Sequence, residues 1–233
     1  MIAKAAVYVV EDDELVRNAL VRLISLAGHL TRGFDTGSSF LDSECCQGPG
    51  CLLLDFSLPD MSGLQVQETL RARESQIPII FMSGYGDVPL TVQAMKRGAL
   101  DFLTKPVRET ALFAAIDAAL AAEEERRGAQ SRMEEVRARL GSLTPRERDV
   151  LNGVLLGRLN KQIARELGIS EKTVKVHRGR LMAKMGVRHV AHLAQLAAGV
   201  DYHVPETRPT TTPLRVVTLP GWRRRVRGAE PLA

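Results

Sequence analysis

Short apolar runs alternate with amphipathic stretches along the first half of the chain, which has 233 residues in all. This alternation is typical of repeated strand–helix units built around a parallel sheet. Buried parallel strands are nearly continuous in apolar residues, as segments 7–10 and 77–82 are. The pattern predicts five strands, at residues 5–10, 29–34, 51–55, 77–83 and 100–104.

Between these strands, apolar residues recur at intervals of three and four, as in Leu15, Ala19, Leu23 and Leu26. Such spacing predicts amphipathic helices. Five strands alternating with helices over about 120 residues predict an α/β flavodoxin-like doubly wound fold with a five-stranded parallel sheet. Ligands of that fold bind at the carboxyl ends of the strands.

Residues 114–140 form a transition that is rich in Ala, Glu and Arg. We expect the last helix of the α/β region to continue into a charged helical linker, with Gly128 as its weak point. A solvated linker fits this charged surface, and a dimerising coiled coil is the alternative.

From Leu143 onward the pattern is purely helical. Thr144, Pro145 and Glu147 form the signature of a capping box, which starts a helix. Three further short helices follow, with breaks near Gly157, Gly168 and Gly186. The predicted domains are therefore an α/β domain at 1–122, a helical linker at 123–140, an all-α four-helix domain at 141–200, and a Pro- and Arg-rich tail at 201–233 that we expect to be disordered.

The charge is divided between the two halves. Residues 1–125 carry 10 Lys and Arg against 18 Asp and Glu, a net charge of −8, whereas residues 126–233 carry 22 against 9, a net charge of +13. Two domains with different partners explain this asymmetry, because a basic domain favours a polyanion. Charge alone leaves nucleic acid and an anionic membrane as alternatives. The chain shows neither a signal peptide nor an apolar run of roughly 20 residues, so we expect a cytoplasmic protein without a membrane partner.

Polar residues follow four of the predicted strands. They are Glu11, Asp12 and Asp13 after the first, Asp55 at the end of the third, Ser83 at the end of the fourth and Lys105 after the fifth. Parallel strands bring these ends to one edge, where clustered carboxylates need a cation and their oxygens suit Mg²⁺. A carboxylate beside Mg²⁺ and Lys can attack a phosphoryl group. Helix capping by Asp12 and Asp13 is the simpler alternative for those two residues.

The motifs VVED (9–12), LLD (53–55), LPDMSG (58–63), MSG (82–84) and DFLTKP (101–106) resemble those of the receiver domain of two-component response regulators. The resemblance implies that Asp55 accepts a phosphoryl group from a histidine kinase, with Ser83 and Lys105 contacting that group. It also implies a Mg²⁺ ion held by Glu11, Asp12, Asp55 and the backbone carbonyl of Ser57, with Asp13 as an extra carboxylate.

The same resemblance implies a conformational switch. Ser83 and Phe102 match the hydroxyl and aromatic residues that rearrange together on phosphorylation, although Phe102 also fits an ordinary core position. The resemblance further implies a cis peptide bond between Lys105 and Pro106, and a homodimer formed through the fourth and fifth helices after phosphorylation.

The basic half contains a helix–turn–helix pattern between residues 160 and 184. A short helix ends at Gly168, Ser170 caps a second helix, and that helix carries many Lys and Arg residues. This combination fits docking in the major groove of double-stranded DNA. For any single Lys, a solvated surface is the alternative.

The motifs LTPRERDVL (143–151), NKQIA (160–164) and TVKVH (173–177) resemble the LuxR-type helix–turn–helix of the NarL/FixJ family, with most similarity to the FixJ branch. The resemblance implies DNA contacts in three groups: phosphate contacts by Lys161, Thr173 and Lys184, base-edge contacts by Lys175, Val176 and Arg178, and a backbone contact by His177. RNA polymerase is a further candidate partner of such a regulator.

Two rival functions stay open. An aspartate-nucleophile phosphohydrolase normally carries a second acidic residue two positions after the nucleophile, where this chain has Ser57. A regulator that dimerises without phosphorylation is the other. The leading interpretation is a DNA-binding response regulator that catalyses only the phosphorylation and dephosphorylation of its own Asp55.

Overall fold

A computed structural model of the protein describes residues 5–84 and 88–205. Five strands form one parallel sheet in the order β2-β1-β3-β4-β5. They are β1 Ala6–Val10, β2 Leu30–Phe34, β3 Gly50–Asp55, β4 Ile79–Ser83 and β5 Asp101–Thr104. The predicted strands are confirmed, with shifts of one or two residues at their starts. β4 begins after Pro78 because proline has no N–H to donate within a sheet.

Helices cover both faces of this sheet. They are α1 Glu14–Leu26, α2 Gly37–Leu41, a 3-10 helix at Glu44–Gln47, α3 Gly63–Ala72, α4 Val88–Lys96 and α5 Glu109–Gly141. One core cluster joins Leu54 and Phe81 to α2 and α3, and another joins Leu53 and Ile80 to α1 and α5. Successive strand residues point to opposite faces, so each central strand is buried on both sides. This is the expected doubly wound arrangement.

The chain divides into two compact units, residues 1–135 (the α/β unit) and residues 136–233 (the helical unit). Helix α5 continues from the first unit into the second and passes through Gly128 without a break. The expected weak point does not interrupt the helix, because one glycine costs only about 1 kcal/mol among strong helix formers. Within the described ranges, no helix is both long and apolar enough to span a membrane.

The helical unit contains α6 Pro145–Leu155, α7 Asn160–Leu167, α8 Glu171–Met185 and α9 Val190–Ala198. Its core also includes Val136 and Leu140 at the end of α5, so the unit begins before residue 141. At the other end, the Tyr202 hydroxyl lies 2.9 Å from Asn152 Oδ1. The start of the predicted disordered tail is therefore packed on α6, and residues 206–233 of that tail lie outside the described residues.

Candidate functional site

The register of the sheet brings polar residues from four strands to one edge. The β1–β3 pairing places Glu11, the residue after β1, beside Asp55, the last residue of β3. The β3–β4 pairing places Ser83 one position beyond Asp55 on the neighbouring strand. Lys105 follows β5, and its backbone N–H donates to the Ser83 carbonyl oxygen at 2.7 Å.

The Lys105 ammonium group joins two buried carboxylates. Its Nζ lies 2.6 Å from Glu11 Oε2 and 2.9 Å from Asp55 Oδ2. Burial raises the pKa of Glu11, the hydrogen bond from Lys105 opposes this, and the charge of Asp55 adds to the rise. Burial alone would lower the pKa of Lys105, but its hydrogen bonds to both carboxylates outweigh that effect and raise it. Lys105 is therefore held in its charged form.

Three carboxylates at this edge form a group that could bind a metal ion. Oxygen atoms of Glu11, Asp12 and Asp55 all lie within 4.8 Å of one another. Glu11 and Asp55 are buried, whereas Asp12 is exposed and leaves room for water ligands. Hard oxygen donors with water in the remaining positions suit an ion such as Mg²⁺.

Asp13, the third acidic residue after β1, has a different role. Its Oδ1 accepts hydrogen bonds from two backbone N–H groups in the first turn of α1, at 2.8 and 3.1 Å. It is thus the N-cap of α1. Arg17 in the same helix donates through Nη1 to the carbonyl oxygens of Glu11 at 2.7 Å and Asp12 at 3.1 Å. Arg17 fixes the backbone of the acidic pair, a role that the sequence pattern did not indicate.

The loop after β3 folds back against Asp55. The Ser57 backbone nitrogen lies 3.3 Å from Asp55 Oδ1 and donates a hydrogen bond to it. Ser57 also forms an isolated antiparallel β-bridge with Ser62. A Cβ at Gly63 would lie only 2.7 Å from the Asp55 carbonyl oxygen. Glycine at 63 therefore permits the close approach that keeps this loop at the acidic edge.

Ser83 and Phe102, the predicted switch residues, lie on the neighbouring strands β4 and β5. Both are half-buried, and Phe102 packs against the core cluster that contains Phe81. The peptide bond between Lys105 and Pro106 is cis, as the sequence resemblance implied.

In the helical unit, two helix caps define the turn of the predicted helix–turn–helix. Gly168 ends α7 in the left-handed region, with φ of 66°. Ser170 Oγ then accepts the Thr173 backbone N–H at 3.1 Å and caps α8. Both features agree with the sequence prediction.

The residues predicted to contact DNA differ in exposure and in hydrogen bonding. Lys161, Lys175 and Val176 are exposed, and Val176 is 48% exposed despite its apolar side chain. The Thr173 hydroxyl, by contrast, lies 2.8 Å from Ser170 Oγ. His177 is half-buried, and its Nδ1 has no hydrogen-bond partner among the described residues.

Two basic residues of α8 are hydrogen-bonded within the unit. Arg178 donates through Nη1 to Asn160 Oδ1 at 2.9 Å. Lys184 Nζ lies 2.7 Å from Glu147 Oε2 and 3.1 Å from the Ser142 carbonyl oxygen. The sequence indicated neither Asn160 nor Glu147 as a partner, because these pairs join different helices.

Comparison with known proteins decides the family. The response regulator receiver domain matches residues 7–117, and the LuxR family of bacterial regulatory proteins matches residues 141–197. The response regulator protein TodT of Pseudomonas putida is 45% identical over 192 residues, 82% of this chain and 85% of TodT. The chain belongs to the NarL/FixJ family of response regulators.

Other similar proteins cover most of the chain as well. The transcriptional regulatory protein FixJ of Bradyrhizobium diazoefficiens is 39% identical over 197 residues, 84% of this chain and 96% of FixJ. The solved structure of the response regulator StyR is 46% identical and covers 84% of this chain and 99% of its own, with a TM-score of 0.78. The protein is a DNA-binding response regulator of the kind that controls transcription in two-component systems, with a receiver domain and a LuxR-type domain.

The LuxR-type domain contains a buried acidic residue, Glu147, whose side chain is 4% exposed. It closes the predicted capping box, since its Oε2 also accepts the Thr144 N–H at 2.9 Å. The hydrogen bond from Lys184, together with that from Thr144, lowers the pKa of Glu147 to about 2. The Glu147 carboxylate thus caps the first turn of α6 and, through Lys184, binds the last turn of α8.

This arrangement predicts acid sensitivity of the LuxR-type domain. A carboxyl whose pKa is lowered on folding stabilises the fold above its ordinary pKa of 4.5, and this contribution is lost as the pH falls towards 2. Glu147→Gln should therefore melt at a lower temperature at neutral pH and lose less stability than wild type between these pH values. Circular dichroism melts across this range measure both effects.

Asp149→Asn is the matched control, because Asp149 lies on the same helix in a more exposed pair with Arg146 at 3.6 Å. It should melt like wild type. Identical acid profiles for Glu147→Gln and wild type would contradict the assigned role of Glu147.

Proposed function

We propose that Asp55 accepts a phosphoryl group from a histidine kinase in the presence of Mg²⁺, and that this modification controls DNA binding. The observation that carries the proposal is the cluster in which Lys105 joins Glu11 and Asp55 while Asp12 lies beside them. A buried carboxylate with a fixed cation and a second cation site is suited to phosphoryl transfer.

In the proposed reaction, an Asp55 carboxylate oxygen forms a bond to phosphorus while the bond from phosphorus to the donor breaks. The electron pair of the broken bond leaves with the donor. Lys105 neutralises charge on the phosphoryl oxygens, and the Ser83 hydroxyl donates to one of them. Mg²⁺, held by Glu11, Asp12, Asp55 and the Ser57 carbonyl, would supply further charge neutralisation. The chain would catalyse only the phosphorylation and dephosphorylation of its own Asp55.

The different roles of Asp12 and Asp13 give a direct test of the metal site. Asp12→Ala should lower Mg²⁺ affinity at least about tenfold. Asp13→Ala should cost about 1 kcal/mol of unfolding free energy, as loss of an N-cap does, while Mg²⁺ affinity changes little. Calorimetric Mg²⁺ titration and urea unfolding of both variants separate the two effects. The ligand assignment is wrong if Asp13→Ala weakens Mg²⁺ binding more than Asp12→Ala.

Exposed apolar residues support the proposed homodimer of the phosphorylated protein. Val92 and Met95 on α4 and Leu100 before β5 are 38–45% exposed, and Ala114 and Ala118 of α5 are also exposed. Phosphorylation would reorient Ser83 and Phe102 and so reshape this face. In the LuxR-type domain, helix α9 would form the contact between the DNA-binding domains of two copies of the protein.

For DNA, we propose that Lys175, Val176 and Arg178 approach base edges, that Lys161, Thr173 and Lys184 hold phosphates, and that His177 contacts the backbone. Exposure supports this for Lys161, Lys175 and Val176. Arg178 and Lys184 are hydrogen-bonded to Asn160 and Glu147 within the domain, and each would contact DNA through its remaining N–H groups. With DNA as partner, and RNA polymerase as a further one, the protein would act in the cytoplasm.

A pair of exposed lysines tests the DNA assignment. Lys175→Ala should weaken binding to the preferred duplex by about 1–3 kcal/mol and relax its sequence preference. Lys161→Ala should weaken binding to all duplexes alike and reduce the salt dependence by about one unit of slope. Binding to a preferred and a mixed-sequence duplex at several salt concentrations measures both. Equal loss of sequence preference in the two variants would contradict the assignment.

The proposed function as a whole is tested with Mg²⁺ and beryllofluoride, a stable mimic of the phosphoryl group. Wild type should become dimeric by light scattering and bind its preferred duplex more tightly. Unchanged oligomeric state and DNA affinity would favour a regulator that does not use phosphorylation. Steady turnover of an external phosphomonoester would instead favour a phosphohydrolase.

A further inference from the structure

Helix α8 contains a glycine that its own domain does not require. Gly179 lies inside the helix, with an α-helical backbone, and a Cβ added there would meet no atom within 4 Å apart from the adjoining backbone of its own helix. Two other glycines of the domain, by contrast, are required by their surroundings. A Cβ at Gly153 would lie 2.7 Å from Ile163, and Gly186 ends α8 in the left-handed region with φ of 67°. Neither packing nor backbone conformation therefore explains glycine at 179. Because glycine is among the poorest helix formers, its presence inside α8 also costs helix stability.

The position of Gly179 on the helix points outside the domain. Residues three, four and seven apart share one face of an α-helix. Gly179 follows Val176 by three positions, Lys175 by four and Lys172 by seven, and it precedes Ala183 by four. All five residues are exposed. Gly179 is thus the centre of the outward face of α8, with basic residues at one end and small or apolar ones beside it.

We infer that Gly179 is the point where the backbone of α8 comes closest to the bases, and that the missing side chain determines how deeply the helix enters the major groove. The inference rests on the proposed DNA contacts and adds a residue to them. A helix with its side chains is about 10–12 Å across, and the groove is about 12 Å wide. A side chain at the centre of the inserted face would hold Lys175 and Val176 away from the base edges.

This inference predicts opposite effects on folding and on binding. Alanine and leucine are better helix formers than glycine. Gly179→Ala should therefore raise the melting temperature of the LuxR-type domain, by about 4 °C. The same variant should bind the preferred duplex about tenfold more weakly, and Gly179→Leu about 100-fold more weakly, because base contacts are lost. Binding to a mixed-sequence duplex should change far less, since it depends mainly on phosphate contacts.

The full-length protein serves for this experiment, and the preferred duplex is the one that wild type enriches from a random-sequence library. Gly128→Ala is the matched control. It also replaces a glycine inside a helix, and its new methyl would meet only the end of the Arg132 side chain, at 3.4 Å. It should leave DNA affinity unchanged.

The outcomes separate this inference from the proposed function. If Lys175→Ala weakens the preferred duplex while Gly179→Leu binds it like wild type, the role of Gly179 is refuted and the proposed function stands. If wild type enriches no sequence, both the base contacts and the role of Gly179 are refuted. A lower melting temperature of Gly179→Ala would show that the glycine serves the fold, which also overturns the inference. Higher stability with weaker, size-dependent binding supports it.

Discussion

Asp55→Asn is expected to abolish phosphorylation of the protein by acetyl phosphate and Mg²⁺, and with it any gain in DNA affinity. A carboxamide is not a nucleophile at neutral pH, whereas the carboxylate of Asp55 lies at the acidic edge with Lys105 2.9 Å away. The fold should persist, because the amide keeps the shape of the carboxylate and can still accept a hydrogen bond from Lys105. Intact-protein mass spectrometry measures the added phosphoryl group, and duplex titration measures the DNA response.

Asp60→Asn is the control for this experiment. Asp60 is an exposed carboxylate in the loop that follows Asp55, and its oxygens accept hydrogen bonds from Ser38 rather than from Lys105. The Asp60 variant should be phosphorylated like wild type. Phosphorylation of Asp55→Asn at the wild-type rate would show that another residue is the acceptor.

Lys105→Met is expected to have the second-largest effect, on both stability and chemistry. Lys105 is the cation that lies between the buried carboxylates of Glu11 and Asp55, at 2.6 and 2.9 Å. Removing one partner of a buried ion pair leaves an uncompensated charge and costs about 3 kcal/mol. Mg²⁺ should restore part of this stability, since it binds the same carboxylates. Phosphorylation should slow about 100-fold even with saturating Mg²⁺, because a fixed cation at the phosphoryl group is lost.

Urea unfolding with and without Mg²⁺ tests the stability effect, and the rate of reaction with acetyl phosphate tests the chemistry. Arg108→Met removes one exposed positive charge three residues later and should behave like wild type in both measurements. If Lys105→Met is as stable as wild type without Mg²⁺, the ammonium group is not needed to offset the two carboxylates.

Much of the fold could be predicted because local patterns in this chain agree with the final structure. Short apolar runs bounded by polar or turn residues favour strands buried on both faces, and β1 and β3 are buried at every position. Capping residues marked helix starts at Thr144 and Ser170. Helix and domain ends were less predictable. The continuation of α5 through Gly128 depends on the helix propensity of the flanking residues. The packing of the half-buried Tyr202 on α6 depends on tertiary structure.

The acidic cluster was predictable for a topological reason. Once a parallel sheet is assigned, all strand ends of one kind meet at one edge, so Glu11, Asp55 and Lys105 converge although up to 94 positions separate them. For two neighbouring carboxylates, residue type and position left the roles open, and the family resemblance implied only that Asp13 is the extra one. Asp12 and Asp13 are adjacent carboxylates, and only the direction of the backbone after β1 makes Asp13 the N-cap of α1.

By itself, the sequence determined the two domains, the parallel sheet, the phosphoacceptor candidate Asp55 and the basic helix of a DNA-binding domain, because periodicity, capping and motif spacing are local properties. Only the tertiary structure decided which charged groups pair. It placed Lys105 between Glu11 and Asp55, Arg17 behind the acidic pair, and Lys184 on Glu147. It also left Gly179 without a neighbour on the outward face of α8. Such pairings depend on distances between elements that are remote in sequence, and no local pattern encodes those distances.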